Sequence, residues 1–165
     1  MGIFSKIKNY ITGGAADVSV VFENHIVRPE EALRLFVTAS AKDDCTIKKV
    51  YLHLKCEETY KKRETRTSTD SNGRTTTTSH DVTKHHRHYF KELVLAEGIR
   101  LEKGSEDKWL AEFIIPADAW PSFVGKDCHM TWQVFAGLDM PGNDPDSGWN
   151  KFSVIKKMNY SLEQV

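Results

Sequence analysis

The chain has 165 residues, 39% of them hydrophobic, and no formal net charge, with 23 basic side chains balanced by 23 acidic ones; that suits one domain with a core of its own. A neutral balance supplies no global field toward nucleic acid or anionic lipid, no run of about 20 apolar residues is present to span a bilayer, and the first residues lack the apolar stretch of a signal peptide. The three cysteines, Cys45, Cys56 and Cys128, are odd in number and have no Cys-x-x-Cys spacing, so they read as free thiols in a reducing cytoplasm.

Residues 1–14 form the first predicted element, a short amphipathic helix. Ile3, Phe4, Ile7, Tyr10 and Ile11 share one helical face, and Gly13-Gly14 closes it. Such a helix can touch a membrane or pack on the open end of a β-domain. Only Lys6 and Lys8 are basic within residues 2–12, fewer than membrane-surface helices carry, which favours packing. The Met-Gly-Ile-Phe-Ser start does not fit the myristoylation spacing.

From residue 15 to residue 165 the pattern is β. Val18, Val20 and Phe22 alternate with Ser19, Val21 and Glu23, Arg28-Pro29-Glu30-Glu31 reads as a turn, and Leu33, Leu35 and Val37 alternate next. The third strand, Ile47 to Cys56, places Val50, Leu52 and Leu54 on one face. Then comes a polar stretch. Between Lys55 and Lys91 lie nine Lys or Arg, five Asp or Glu and four His. Asn72-Gly73 at its centre is a strong hairpin signal. Folding about those two residues sets Val50 opposite Leu95, Leu52 opposite Leu93, Cys56 opposite Tyr89, Glu57 opposite His88 and Glu58 opposite Arg87. Apolar side chains meet at the base and opposite charges above it, while Lys61 opposite Lys84 is a mismatch. The hairpin extension, about 57–90, therefore has a base in the core and a distal half in water, where a β-ribbon and a disordered tip are both open.

Beyond it, Trp109 to Ile115 stops at Pro116. Trp120-Pro121-Ser122-Phe123-x-Gly125 makes a loop, and Met130 to Asp139 and Phe152 to Ile155 complete about seven strands. Turn signals between them and the absence of a repeat point to an all-β antiparallel sandwich. The order Phe113-x-Ile115-Pro116, then Pro121-Ser122-Phe123-x-Gly125, then Trp132-x-Val134-x-Ala136-x-Leu138-Asp139 resembles the end of an arrestin N-terminal domain. The opening strand pair and third strand resemble it too, with Pro29-Glu30 where that family has Pro-Gly. The stretch Leu138-Asp139-Met140…Asp144-Pro145-Asp146 is similar to one in bacterial arrestin-like sporulation-control proteins. The resemblance implies an immunoglobulin-like, arrestin-like sandwich and a non-catalytic adaptor or scaffold that binds a partner protein. A full arrestin carries a second such domain, for which this length leaves no room.

The candidate chemistry is sparse. His86 and His88, alternating on one strand, would stand about 6.5–7 Å apart. They could bind zinc or copper if Glu57 or Glu58 supplied a third ligand from the paired strand; no cysteine joins the cluster, which favours a polar, partly charged surface ribbon. They could also make the surface pH-sensitive. The acidic turn Asp139–Gly148 lacks the frame and closing Glu of a calcium loop, so it reads as turn formers. No nucleophile motif and no phosphate loop is present, and no cofactor is implied. The partner is a protein, or a second copy of the chain. The predicted contact is a sheet edge, with Phe152 and Val154 on the less protected strand, because lysines and arginines beside the hairpin blunt the other edge.

Overall fold

A computed structural model describes residues 14–142 and 144–156. The predicted helix of residues 1–14 lies outside them except for Gly14. Nine strands follow: β1 (Ala16–Phe22), β2 (Ile26–Val27), β3 (Ala32–Ala41), β4 (Cys45–Thr69), β5 (Thr75–Leu101), β6 (Glu106–Ile114), β7 (Phe123–Val124), β8 (Cys128–Asp139) and β9 (Asp146–Val154). They form a three-stranded sheet in the order β1-β3-β6 and a six-stranded sheet in the order β2-β9-β8-β4-β5, with β7 on β8. All pairs are antiparallel except β2 with β9. The all-β antiparallel sandwich expected from the sequence is the observed fold.

The core is the sum of the period-two faces. Leu33, Leu35 and Val37 of β3 meet Phe113 of β6. Across the gap lie Val50, Leu52, Leu54 and Cys56 of β4, then Trp132, Val134, Ala136 and Leu138 of β8. Interdigitation of these side chains is the main stabilising contribution, at about 25 cal/mol per Å² of apolar surface buried. Three strands do not cover the wider sheet. Leu93, Leu95 and Ile99 on β5 are accordingly only half-buried, and Leu93 is less enclosed than its alternation suggested.

The first turn resolves the departure at Glu30. Glu31 N–H donates to the Arg28 carbonyl (3.1 Å), and Glu30 takes φ 70°. The third position of this turn needs the left-handed region that glycine enters freely. Reciprocal bonds between residues 30–31 and Ile115 hold it there: Glu30 N–H to the Ile115 carbonyl (2.8 Å) and Ile115 N–H to the Glu31 carbonyl (3.0 Å).

The edge predicted at Phe152 and Val154 is closed. Both residues belong to the core, at 5% and 0% exposure. Ser153 N–H donates to the His25 carbonyl (2.8 Å), Val154 N–H to Ser122 Oγ (3.0 Å) and Ile155 N–H to the Val27 carbonyl (2.9 Å). Two residues of β2 and one hydroxyl from the 120–125 loop have taken the place the sequence left for a partner. Among the described residues, the long strand paired on one side only in this sheet is β5.

The hairpin is a ribbon to its tip, with cross-strand hydroxyl pairs Thr65–Ser79, Thr67–Thr77 and Thr69–Thr75. Its register differs from the sequence reading. The turn has three residues, not two: Gly73 N–H donates to the Asp70 carbonyl, Asp70 N–H to the Arg74 carbonyl, and Gly73 takes φ 76°, a type I turn closed by a left-handed glycine. Glu57 therefore faces Arg87 and Glu58 faces His86, whereas Leu52–Leu93 and Cys56–Tyr89 stand as expected and Val50 faces Ala96. The Lys61–Lys84 mismatch disappears. Lys61 faces Thr83, and Lys84 pairs with Glu64 at 2.8 Å.

Ser147 is a buried hydroxyl in a break of the β8–β9 ladder. It accepts the Ala136 N–H (2.9 Å) and donates to the Gly148 carbonyl (2.9 Å). Ser147→Ala strands the Ala136 N–H, so we expect a loss of about 1–3 kcal/mol in urea denaturation, against less than about 0.5 kcal/mol for the exposed Ser19→Ala. The ribbon buries little, so replacing residues 65–79 with Asn-Gly is expected to change stability by less than about 1 kcal/mol, a shift of only a few degrees in calorimetry.

Candidate functional site

At the end of the core, β4 and β5 leave the cover of the small sheet while β8 still pairs with β4. Polar side chains replace apolar ones at this mouth. Glu58 follows Cys56 on the inner side of β4, and Cys128 opens β8 opposite Tyr60. His88 is the extra residue of a β-bulge in β5, where the register slips between Cys56 and Glu57. Bulges re-aim a side chain. Here His88 Nε2 donates to Glu58 Oε2 (2.8 Å), while the Cys128 thiol donates to Glu58 Oε1 (3.3 Å). The His86 ring stands edge-on to His88, with centroids 4.6 Å apart, and Trp120 lies 5.9 Å from His88. The Trp120 carbonyl accepts the Trp132 indole N–H (2.8 Å), so a core side chain fixes the lid of the cluster.

The sequence reading set Glu57 opposite His88 and Glu58 opposite Arg87; in the structure it is Glu58 that bonds His88, and Glu57 lies 3.6 Å from His85 Nδ1. The reading missed Cys128, which is 70 residues from Glu58. Only the β4–β8 register brings the two together. As the donors stand, no three His, Cys, Asp or Glu groups among the described residues converge on one ion.

The electrostatics follow from the hydrogen bonds. Those from His88, then from Cys128, hold the Glu58 carboxyl below its ordinary value. Desolvation, then the bond to Glu58, raises the Cys128 thiol. The carboxylate thus stands between thiol and imidazole. Nucleophilic catalysis needs the reverse, an imidazole between them to take the thiol proton. This arrangement keeps Cys128 protonated and makes it a donor.

A second feature lies on the outward face of the six-stranded sheet. Phe90 meets His53 at 5.1 Å, His53 meets Phe135 at 5.8 Å, Phe135 meets Trp149 at 5.3 Å, and Tyr51 adjoins both His53 and Phe135. Lys55 lies over Trp149 at 4.2 Å, and Glu92 accepts from Lys49 and His53. Phe90 and Trp149 are 45% and 38% exposed. The acidic turn is structural. Asp144 Oδ1 accepts the Met140 N–H, and Asp146 Oδ1 accepts the Gly148 N–H.

The profile described as "Arrestin (or S-antigen), N-terminal domain" matches residues 18–161. The chain belongs to the arrestin N-terminal domain family. Among solved structures, the fold is similar to that of Spo0M, the sporulation control protein from Bacillus subtilis, with a TM-score of 0.58 and 20% identity. The match covers 86% of this chain and 49% of that one, so this arrestin domain spans about half the length of Spo0M. No curated protein matches the sequence.

The depressed Glu58 pKa fixes the sign of a pH effect. Between its folded value and its ordinary value the unfolded chain binds more protons, so the stability Glu58 contributes is present above the ordinary value, 4.5, and is lost as pH falls through the folded one. We expect Glu58→Gln to be less stable than wild type at pH 7, and the gap to narrow as pH falls below 4.5, in urea melts over that range.

Proposed function

We propose that this arrestin domain is a non-catalytic adaptor that binds a partner protein along the open side of β5. The observation that carries the reading is the aromatic row Phe90–His53–Phe135–Trp149, which begins on β5 and crosses four strands with lysines and glutamates at its rim. Aromatic centres inside charged rims are the composition of binding hot spots. The unpaired side of β5 offers backbone groups for an added strand beside it. Val94, 43% exposed, extends the row along the same strand. The ribbon adds a charged arm that reaches roughly 30 Å beyond Tyr60 at about 3.3 Å per residue. The family supports an adaptor role, and three free thiols support a reducing compartment such as the cytoplasm.

The test is cross-linking and capture from source cells with wild type, Phe90→Asp/Val94→Lys and the ribbon-shortened form. We expect at least one protein recovered by wild type to fall about tenfold or more with the β5 variant, a loss of about 1.4 kcal/mol. A recovered set unchanged by the β5 variant would overturn the reading.

A further inference from the structure

Residues 2–12 place Ile3, Phe4, Ile7, Tyr10 and Ile11 on one helical face, and neither the sandwich core nor the partner surface on β5 uses that face. A helix from Ile3 to Ile11 is too short to hold in water by itself, so its order depends on a surface to pack against. Such a surface lies where these residues join the domain. At the end of the sandwich away from the ribbon, β4 begins at Cys45 opposite Leu101 of β5. A groove of about 330 Å³ opens there. Ala15, Cys45, Met140 and Pro141 supply its apolar lining, and Asp44, Thr46 and Arg100 its polar one. A cavity of about 150 Å³ already admits a benzene ring, so this groove has room for more than one large apolar side chain.

The occupant follows from the route of the chain. Ala15 is itself a wall of the groove, and its carbonyl accepts the N–H groups of Lys42 (2.7 Å) and Asp43 (3.2 Å). The point at which the preceding residues join is therefore held beside the groove. Gly13-Gly14 stands between them, and glycine lets a backbone reverse direction. The other end of the chain emerges elsewhere. β9 runs from Asp146, opposite Gly137, to Phe152, opposite Trp132, so Lys156 leaves from the ribbon's side of the core. We infer that residues 2–12 dock as a helix in this groove, with Ile7, Tyr10 and Ile11 against Ala15, Cys45, Met140 and Pro141. Those three side chains stand at i, i+3 and i+4, on the turn nearest Gly13, while Ser5 and Asn9 keep the opposite face in water. Docking removes apolar surface from water on both sides, closes this end of the core and covers the Cys45 thiol. It requires neither lipid nor a second protein.

The experiment uses the full chain on a Cys128→Ser background, which leaves Cys45 half-buried and Cys56 fully buried. Maleimide labelling of Cys45 reads the groove. We expect Ile7→Asp/Ile11→Asp to label about tenfold or more faster than the background chain, because the reagent no longer waits for undocking. The same variant should melt at a lower temperature. The control Ser5→Asp/Asn9→Asp, on the opposite helical face, should label at the background rate. Disulfide trapping reads the placement directly. With oxidised glutathione as oxidant, Ile7→Cys or Ile11→Cys should bridge to Cys45 within one chain, and Asn9→Cys should not. Circular dichroism checks that each variant is folded. Equal labelling in the two double variants would overturn the docking. So would bridges found only between chains, which assign the groove to a second copy. Binding to phosphatidylglycerol vesicles that depends on Ile7 and Ile11, with no protection of Cys45, would assign the apolar face to a membrane and overturn it too.

Discussion

Two register-setting devices act on the same pair of strands, and they disagree by one residue. In the core, Leu52 and Cys56 must face Leu93 and Tyr89 so that their apolar sides stay inward, because a one-residue slip would turn every side chain over. At the tip, the three-residue Asp70–Arg74 turn fixes Thr69 opposite Thr75 and propagates that phase down the ribbon. The two phases meet between Cys56 and Glu57, and His88 absorbs the difference as the unpaired residue. The histidine nearest Glu58 is there because the ladder needed somewhere to place an extra residue at the end of the core.

That joint also decides what the cluster can do. A thiol that donates to a carboxylate is held neutral, and a carboxylate that accepts from two donors is held ionised. Both effects oppose nucleophilic chemistry. The aromatic row and the Glu58 cluster occupy different faces, since the row points outward from the large sheet while Glu58, His88 and Cys128 lie on its inner side beyond Trp132. One surface can be altered without the other.

Much of the fold was legible in sequence because period-two alternation reports burial directly. Leu33, Leu35, Val50, Leu52, Phe113, Trp132 and Val134 declared their face, and the 113–139 motif order declared the family. The parts not legible were those set by residues distant along the chain. Nothing near Phe152 says that Ser122 and residues 25–27 will cover its strand. Nothing near His88 says that Cys128 will arrive from β8. Asn72-Gly73 correctly marked the hairpin tip, but the side chain of Asp70, which accepts the N–H groups of Asn72 and Arg74, widened the turn by a residue and shifted every pair beyond the bulge. Register is non-local, and a single local signal at the turn could not carry it into the core.

The ribbon has a mechanical aspect. Strands of 25 and 27 residues, clamped only where β8 and the small sheet grip their base, form a cantilever with its free end at Gly73. A lateral load at that end is carried as tension and compression along two backbones that cannot slip, because hydroxyl rungs and ion pairs lock them rung by rung. The bending moment is greatest where support begins, and the first irregular rung there is the bulge at His88. A protein that grasps the tip would thereby act with a lever's advantage on Glu58 and Cys128, a whole arm's length away.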